Sequence, residues 1–321
     1  MKKFFIVLSI ISLLIVISLS LFVNSNITPV SSDTKNKIFV VNEGDGIQII
    51  SQNLKKNGFI KNKYAFLIYS LATRQNHKLQ SGTFRLSASL SAPEIIKKLS
   101  SGGVSDYWLK IIDGSRTEEI AKLFPSGLTF NSQDFLTKYK LKEGYLFPDS
   151  YLIPSYFSLD QTVDVILQNF DKKFTQAKEG AISSLIDEDN IILASLLERE
   201  GRSLESKQMI AGIIINRLNL GMPLQIDATV LYVRDSQNKL IDKYWQLPIT
   251  KTDLQLDSPF NTYKNQGLPP RPICSPGYNS LFAAFHPTES DYIYYITGND
   301  GKMYYAVTLE EHNSNIAKYL K

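Results

Sequence analysis

The first two dozen residues constrain this chain more than any other stretch. Lys2 and Lys3 precede a run from Phe4 to Val23, 20 residues without a charge. Wound as a helix at 1.5 Å per residue, such a run spans roughly 30 Å, the hydrocarbon thickness of a bilayer. A secretory signal peptide has a shorter apolar stretch, about 7–15 residues, followed by small residues at a cleavage site. Here Asn24-Ser25-Asn26-Ile27-Thr28 follows and offers no such site. The run reads as a retained transmembrane anchor, with a cleaved signal peptide as its rival. The two lysines place the N-terminus in the cytoplasm and all that follows outside. The expected location is a single pass through the plasma (inner) membrane, with an extracytoplasmic body.

Composition narrows the chemistry of that body. The chain has 321 residues, 43% hydrophobic and 21% charged, which predicts folded domains, about two by length, rather than disorder. A single cysteine, Cys274, excludes an internal disulfide and a cysteine-rich zinc site. His77, His286 and His312 are too scattered for a metal-ligand pattern, so neither metal nor cofactor is expected. A net charge of +4 with no block of five like charges gives no reason to expect nucleic acid as a partner.

Residues 24–36, rich in Ser, Asn and Thr, read as a stalk. Beyond it, Ile38–Val41 predicts a strand, and Ile47, Ile50 and Leu54 an amphipathic helix ended by Gly58. A second helix is expected over 63–74 and a second strand over Thr83–Leu86. This β-α-α-β order, residues 37–105, is that of a small LysM-like sugar-binding module, or of a generic α+β module with no ligand. A capping box, Ser91 with Glu94, opens a helix through Leu99. Residues 106–321 form the remainder: a strand over Tyr107–Ile112, an ordered aromatic loop over 143–151, and helices over 189–202 and 204–220. A hairpin around Gly298-Asn299-Asp300-Gly301 and a last helix opened by Thr308 and Glu311 complete it. Segregated helices and short hairpins predict an α+β class.

The stretch Ile191–Arg202 holds the candidate chemistry. On a helix, Leu193, Leu196, Leu197 and Glu200 share one face, so Glu200 continues an apolar stripe, whereas Glu198 lies elsewhere. A carboxyl at the end of such a stripe loses hydration, its pKa rises, and it becomes able to donate a proton near neutrality. The bland alternative is an exposed glutamate in a frayed last turn.

Several blocks in order then carry a resemblance. They are Glu143-Gly144-Tyr145-Leu146-Phe147-Pro148-Asp149, Leu193–Glu200, Ile215-Asn216-Arg217-Leu218, Gly221–Tyr232, Asn261-Thr262-Tyr263, Gly267-Leu268-Pro269-Pro270, Ser275-Pro276-Gly277, His286-Pro287 and Glu311-His312-Asn313. Together they resemble the MltG (YceG-like) family of endolytic murein transglycosylases over about residues 36–320. The resemblance implies a membrane-anchored lytic enzyme that cleaves the MurNAc-GlcNAc β-1,4 bond within nascent glycan strands and leaves 1,6-anhydroMurNAc ends. It implies Glu200 as the single general acid/base. It also implies peptidoglycan strands as substrate, peptidoglycan synthases as neighbours, and a role in cell-wall assembly and glycan chain termination.

Other residues keep two readings. Gln225, Asp227 and Thr229, placed on a short extended-to-turn segment, either bind sugars and orient Glu200 or, for Asp227, cap a helix. Asn261, Thr262 and Tyr263 either line the cleft or hold a loop. Tyr244 and Trp245 either stack on sugars or pack in the core. His286 and His312 fit structural hydrogen bonds. Asp227, Glu198 and Asp257 are the carboxylates from which a hydrolase would draw its second acid. A different class remains open as well: a non-catalytic peptidoglycan-binding scaffold for cell-wall synthases.

Overall fold

The computed structural model describes residues 2–103, 106–125, 128, 130–238 and 243–320, without the side chains of residues 2, 3 and 5. The chain divides into two compact units, Met1–Tyr107 with Ile153–Phe157, and Trp108–Leu152 with Ser158–Lys321. The expected module limit at residue 105 lies outside the described residues.

In the first unit, helix α1 (Lys2–Asn26) absorbs the whole apolar run. From Phe4 to Phe22 every described side chain is exposed, so this stretch has no protein core around it, whereas Val23 is buried where the end of the helix meets the unit. It is long and apolar enough to cross a membrane. Residues 24–36 differ from the expected stalk. The helix continues to Asn26, and the segment after it is laced to the 88–92 stretch. Val30 and Ser31 donate their N–H groups to Ala88 O, Ser89 N donates to Asp33 O, and Ala92 N to Ile27 O. Backbone groups that find partners along a neighbouring segment make a strap, not a free linker.

Strand β1 (Lys37–Val41), helices α2 (Ile47–Lys56) and α3 (Lys63–Ala72), and strand β2 (Gly82–Leu86) follow in the expected order. β1 and β2 pair antiparallel, with Lys37 opposite Leu86 and Val41 opposite Gly82. Asn62 caps α3 by accepting from the N–H groups of Tyr64 and Ala65. α4 (Ala92–Ser100) starts at the capping box of Ser91 and Glu94. Phe39, Leu54, Phe66, Phe84, Leu86 and Ile96 form the core of this unit.

The second unit carries all but the end residues Tyr107 and Ile153 of strand β3 (Tyr107–Lys110) and of its partner β4 (Ser150–Ile153), and between them α5 (Thr117–Ala121) and α6 (Ser132–Tyr139). Helices α7 (Leu159–Lys178), α8 (Asp187–Glu200), α9 (Leu204–Asn219), α10 (Asp227–Gln237) and α11 (Tyr278–Phe285) come next. The hairpin β5 (Tyr294–Thr297) and β6 (Met303–Ala306) and the helix α12 (Leu309–Tyr319) close the chain. The short apolar α11 packs against α7, α8 and α9. Leu193, Leu196, Ile210, Ile214, Leu281 and Phe285 meet in the core between these helices. α7 is an addition to the expected elements. Its Val163, Ile166, Phe170 and Ala177 are buried at helical spacing. Among the described residues, helices grouped apart from three two-stranded sheets make the architecture α+β.

Candidate active site

Glu200 is the last residue of α8, and its position follows from what stops that helix. Gly201 leaves the helix in an extended conformation, φ −102° and ψ 142°. A Cβ there would lie 2.5 Å from Lys207 Cγ, so only glycine lets the chain turn this tightly into α9. Ser203 restarts the chain as the α9 cap. Glu198, one turn-face away, is locked. Its carboxylate accepts from Lys207 Nζ at 2.9 Å, the Gly277 N–H at 2.8 Å and the Ser280 hydroxyl at 2.7 Å. These bonds tie α8, α9 and α11 together directly beneath the turn. Two glutamates two residues apart therefore have different fates: Glu198 is a buried strut, and Glu200 reaches a cavity.

That cavity has a volume of about 530 Å³. Arg199 and Glu200 of α8 and Arg217 of α9 form one wall. Asp227 and Leu231 face it from α10 and Gln225 from the loop before that helix, Trp245, Leu247 and Tyr263 from other loops, and Tyr295 and His312 from the C-terminal hairpin and helix. The Tyr295 hydroxyl donates to Glu200 Oε2 at 3.0 Å. Burial drives the Glu200 carboxyl up to about 7. The Tyr295 hydrogen bond opposes this, Asp227's charge adds to it, and Arg199 offsets part. The Tyr295 phenol, buried against Glu200, is itself raised well above its ordinary value and stays a donor. An acid that holds its proton to neutrality at a cavity wall can both give and take a proton.

Of the other expected residues, Gln225, Asp227 and Tyr263 line this cavity, and Thr229, Asn261 and Thr262 do not. Asp227 is the first residue of α10, and Ile226, not Asp227, stands at its cap position. The Asp227 carboxylate accepts instead from the Tyr263 hydroxyl at 2.5 Å. Thr229 and Thr262 are buried and bonded to each other, Oγ1 to Oγ1, at 3.0 Å. Thr262 Oγ1 also accepts the Ile226 N–H at 2.9 Å, and its carbonyl accepts the Gln225 N–H at 3.1 Å. This lock holds Gln225 at φ +51°, a conformation costly for a residue with a Cβ. The Asn261 side chain donates to Leu254 O and Leu256 O and accepts the Tyr263 N–H, fixing the loop that carries Tyr263. The segment expected as extended-to-turn is thus a strained loop at Gln225 followed by the first turn of a helix. Asp257 is fully exposed beside Lys264 and lines neither wall.

His286 Nε2–H donates to Ala177 O at 3.1 Å, and the ring stacks on Phe282, away from the cavity. His312 stacks on Tyr294 and reaches the cavity, where burial lowers its pKa. Tyr244 packs on the Arg116 guanidinium. Trp245 lies under Arg199, 4.3 Å from Cζ to the ring, and also faces the cavity. Sequence reasoning missed three residues here. Tyr295 sits in a tyrosine-rich strand whose alternation cannot say which ring meets Glu200. Arg217 donates to Ile293 O and Leu224 O, bonds visible only in three dimensions. Arg199 had only its adjacency to Glu200 as a signal.

The match to known proteins spans most of the chain. The model of the YceG-like family matches residues 39–318. A Streptococcus pneumoniae (strain D39) protein named endolytic murein transglycosylase is 30% identical over 343 residues, covering 93% of this chain and 61% of the relative. The chain therefore spans about three-fifths of the length of that relative. A Bacillus subtilis (strain 168) protein with the same name is 30% identical over 333 residues, covering 94% of this chain and 89% of the relative. The crystal structure of a yceG-like protein from Listeria monocytogenes superposes with a TM-score of 0.54 at 28% identity, covering 87% of this chain and 99% of that one. The family match takes in both the strand that supplies Tyr295 and the turn that carries Glu200, and this chain belongs to the YceG-like family.

Proposed function

We propose that this protein is a membrane-anchored endolytic peptidoglycan lytic transglycosylase in which Glu200 is the single acid/base. The observation that carries the reading is a carboxyl held protonated to about pH 7, with the Tyr295 hydroxyl donating to it, at the wall of a polar cavity. The names of the relatives from Streptococcus pneumoniae and Bacillus subtilis agree with it. Glu200 protonates the glycosidic oxygen between MurNAc and GlcNAc as that bond breaks. The C6 hydroxyl of the same MurNAc attacks its anomeric carbon and returns its proton to Glu200. No water is added, so the product is a 1,6-anhydroMurNAc end. The nucleophile belongs to the substrate, which gives it a high effective concentration.

Gln225, Asp227 and Tyr263 are the sugar contacts in this reading, with Asp227 easing the positive charge that develops at the anomeric centre. Thr229, Asn261 and Thr262 act through the loop they hold. Helix α1 anchors the enzyme with its body extracytoplasmic, beside peptidoglycan synthases, and the β-α-α-β module gives the strand a second, LysM-like hold. The test uses the full chain in detergent with defined glycan strands and mass analysis of the products. Wild type should yield products of unchanged total mass, and Glu200→Gln none. Full cleavage by Glu200→Gln would refute the assignment. Products heavier by one water would make the enzyme a muramidase, with Asp227 the carboxylate placed to serve it.

A further inference from the structure

Helices α2 and α3 belong to one unit and share one core, yet their free faces differ. α2 buries Ile50, Ser51 and Leu54 and turns Gln52, Lys55 and Lys56 outward, the pattern of a helix at a water-facing surface. α3 buries Ala65, Phe66 and Ser70. Its opposite face repeats at three- and four-residue spacing as Tyr64, Leu67, Ile68 and Leu71. Tyr64 is 59% and Leu71 48% exposed, and Leu67 and Ile68 are partly buried. No charge falls between Tyr64 and Thr73. A helix that is apolar on both faces, with only one face on protein, calls for a second apolar surface.

Two observations identify that surface. The first is position. α3 packs against α1. Val23, buried near the end of α1, and Lys61 Nζ, which donates to Thr28 Oγ1 at 2.6 Å just before α3 begins, place this contact where α1 leaves its exposed apolar stretch. Ile27 then packs on the core of the unit. The stripe on α3 therefore lies beside the level at which a membrane-spanning α1 emerges from the bilayer. The second is charge. From Gly46 to Pro93 the chain holds seven Lys and Arg and no Asp or Glu, although the whole chain carries only +4, so the remainder is net negative. Lys63 opens α3 and Arg74 follows its end. Basic residues flanking an apolar stripe with a tyrosine suit the boundary between acyl chains and anionic headgroups.

We propose that α3 is a second membrane contact: its Tyr64, Leu67, Ile68 and Leu71 stripe lies in the bilayer interface beside α1, with Lys63 and Arg74 against anionic headgroups. The proposal rests on the reading of α1 as an anchor. Two attachments, one spanning and one interfacial, hold this unit flat against the membrane where α1 alone would let it swing.

The full-length protein is reconstituted at one copy per lipid nanodisc and spin-labelled at single introduced cysteines. Wild type, whose one cysteine, Cys274, is buried, supplies the background. Collision with oxygen against a nickel chelate reads the depth of each label. Labels at Tyr64→Cys and Leu71→Cys should lie about 5–10 Å below the phosphates, and a label at Gln52→Cys on α2 should lie in water. Adding phosphatidylglycerol to phosphatidylcholine discs should deepen both stripe labels, and high salt should reverse the gain. Lys63→Gln with Arg74→Gln should abolish the response to lipid charge. A label at Leu14→Cys judges the anchor separately. Stripe labels in water while the Leu14 label sits at the bilayer centre overturn this proposal and leave the anchor standing. A Leu14 label in water refutes the anchor and the proposal with it. Stripe labels shielded only when two copies share a disc, with spin–spin broadening, make a second copy the occupant and overturn it as well. A depth indifferent to lipid charge overturns the role given to Lys63 and Arg74.

Discussion

Replacing Tyr295 with Phe removes the hydrogen bond that the Tyr295 hydroxyl gives to Glu200 Oε2, at 3.0 Å. That bond favours the ionised carboxylate, against the burial that lifts the group to about 7. A hydrogen bond to a charged group is worth roughly 1.5–3 kcal/mol. At about 1.4 kcal/mol per pH unit, its loss raises the point of ionisation by about one to two pH units. The sign is definite: the variant holds its proton longer, not shorter. On the proposed role of Glu200 as general acid, activity falls as it deprotonates, so the alkaline limb of kcat/KM against pH reports the free enzyme's Glu200. In wild type this limb should lie near pH 7, and in Tyr295→Phe near pH 8 or above. Maximal kcat should fall about tenfold or more, because the carboxyl loses its orienting contact and becomes a weaker acid. The assay is release of anhydro-ended products from glycan strands between pH 5 and 9. An alkaline limb that stays in place, or moves toward acid, would refute the account of how Glu200 is tuned.

The same burial predicts a stability effect in Glu200→Gln. The folded-state value of Glu200 lies above its ordinary 4.5. The native state thus binds more protons between about pH 4.5 and 7, and stability declines across that window as pH rises. Denaturant unfolding should find Glu200→Gln more stable than wild type above pH 7, by up to about 3 kcal/mol, and equal to it below pH 4.5. Glu143, raised to about 8 chiefly by burial and next by Glu118, should behave alike, so Glu143→Gln gains stability over wild type as pH rises from about 4.5 to 8. Lys207→Met strands the buried Glu198 carboxylate and should cost about 3–5 kcal/mol. Adding Glu198→Gln should recover much of that in a double-mutant cycle. Thr262→Val removes the acceptor of the Ile226 N–H and should cost roughly 1–3 kcal/mol in unfolding experiments. With Gln225 released from its strained conformation, KM should rise.

What could be read from the sequence was what depends on neighbours along the chain. The uncharged run of 20 residues determined a membrane-length helix, because length and hydropathy are local. Helical periodicity placed Glu200 at the end of a buried stripe, and the β-α-α-β order and the final hairpin followed from alternation and turn residues. Capping boxes at Ser91 and Thr308 marked helix starts because a cap is a bond within three residues.

Tertiary structure decided which of these residues meet. Tyr295 is 95 positions from the carboxyl it touches, and Thr262 is 36 positions from the N–H it accepts. No local pattern reports such pairs, since either tyrosine face or any buried threonine satisfies the same alternation. Thr229, Asn261 and Thr262 turned out to be the frame of the cavity and not its surface, because their short polar side chains met backbone groups before they could reach solvent. The stalk became a strap for the same reason: its backbone groups found partners on the 88–92 stretch. Hydropathy along the chain fixes what is buried, whereas the acidity of Glu200 depends on burial, donors and charges brought to it from elsewhere in the fold.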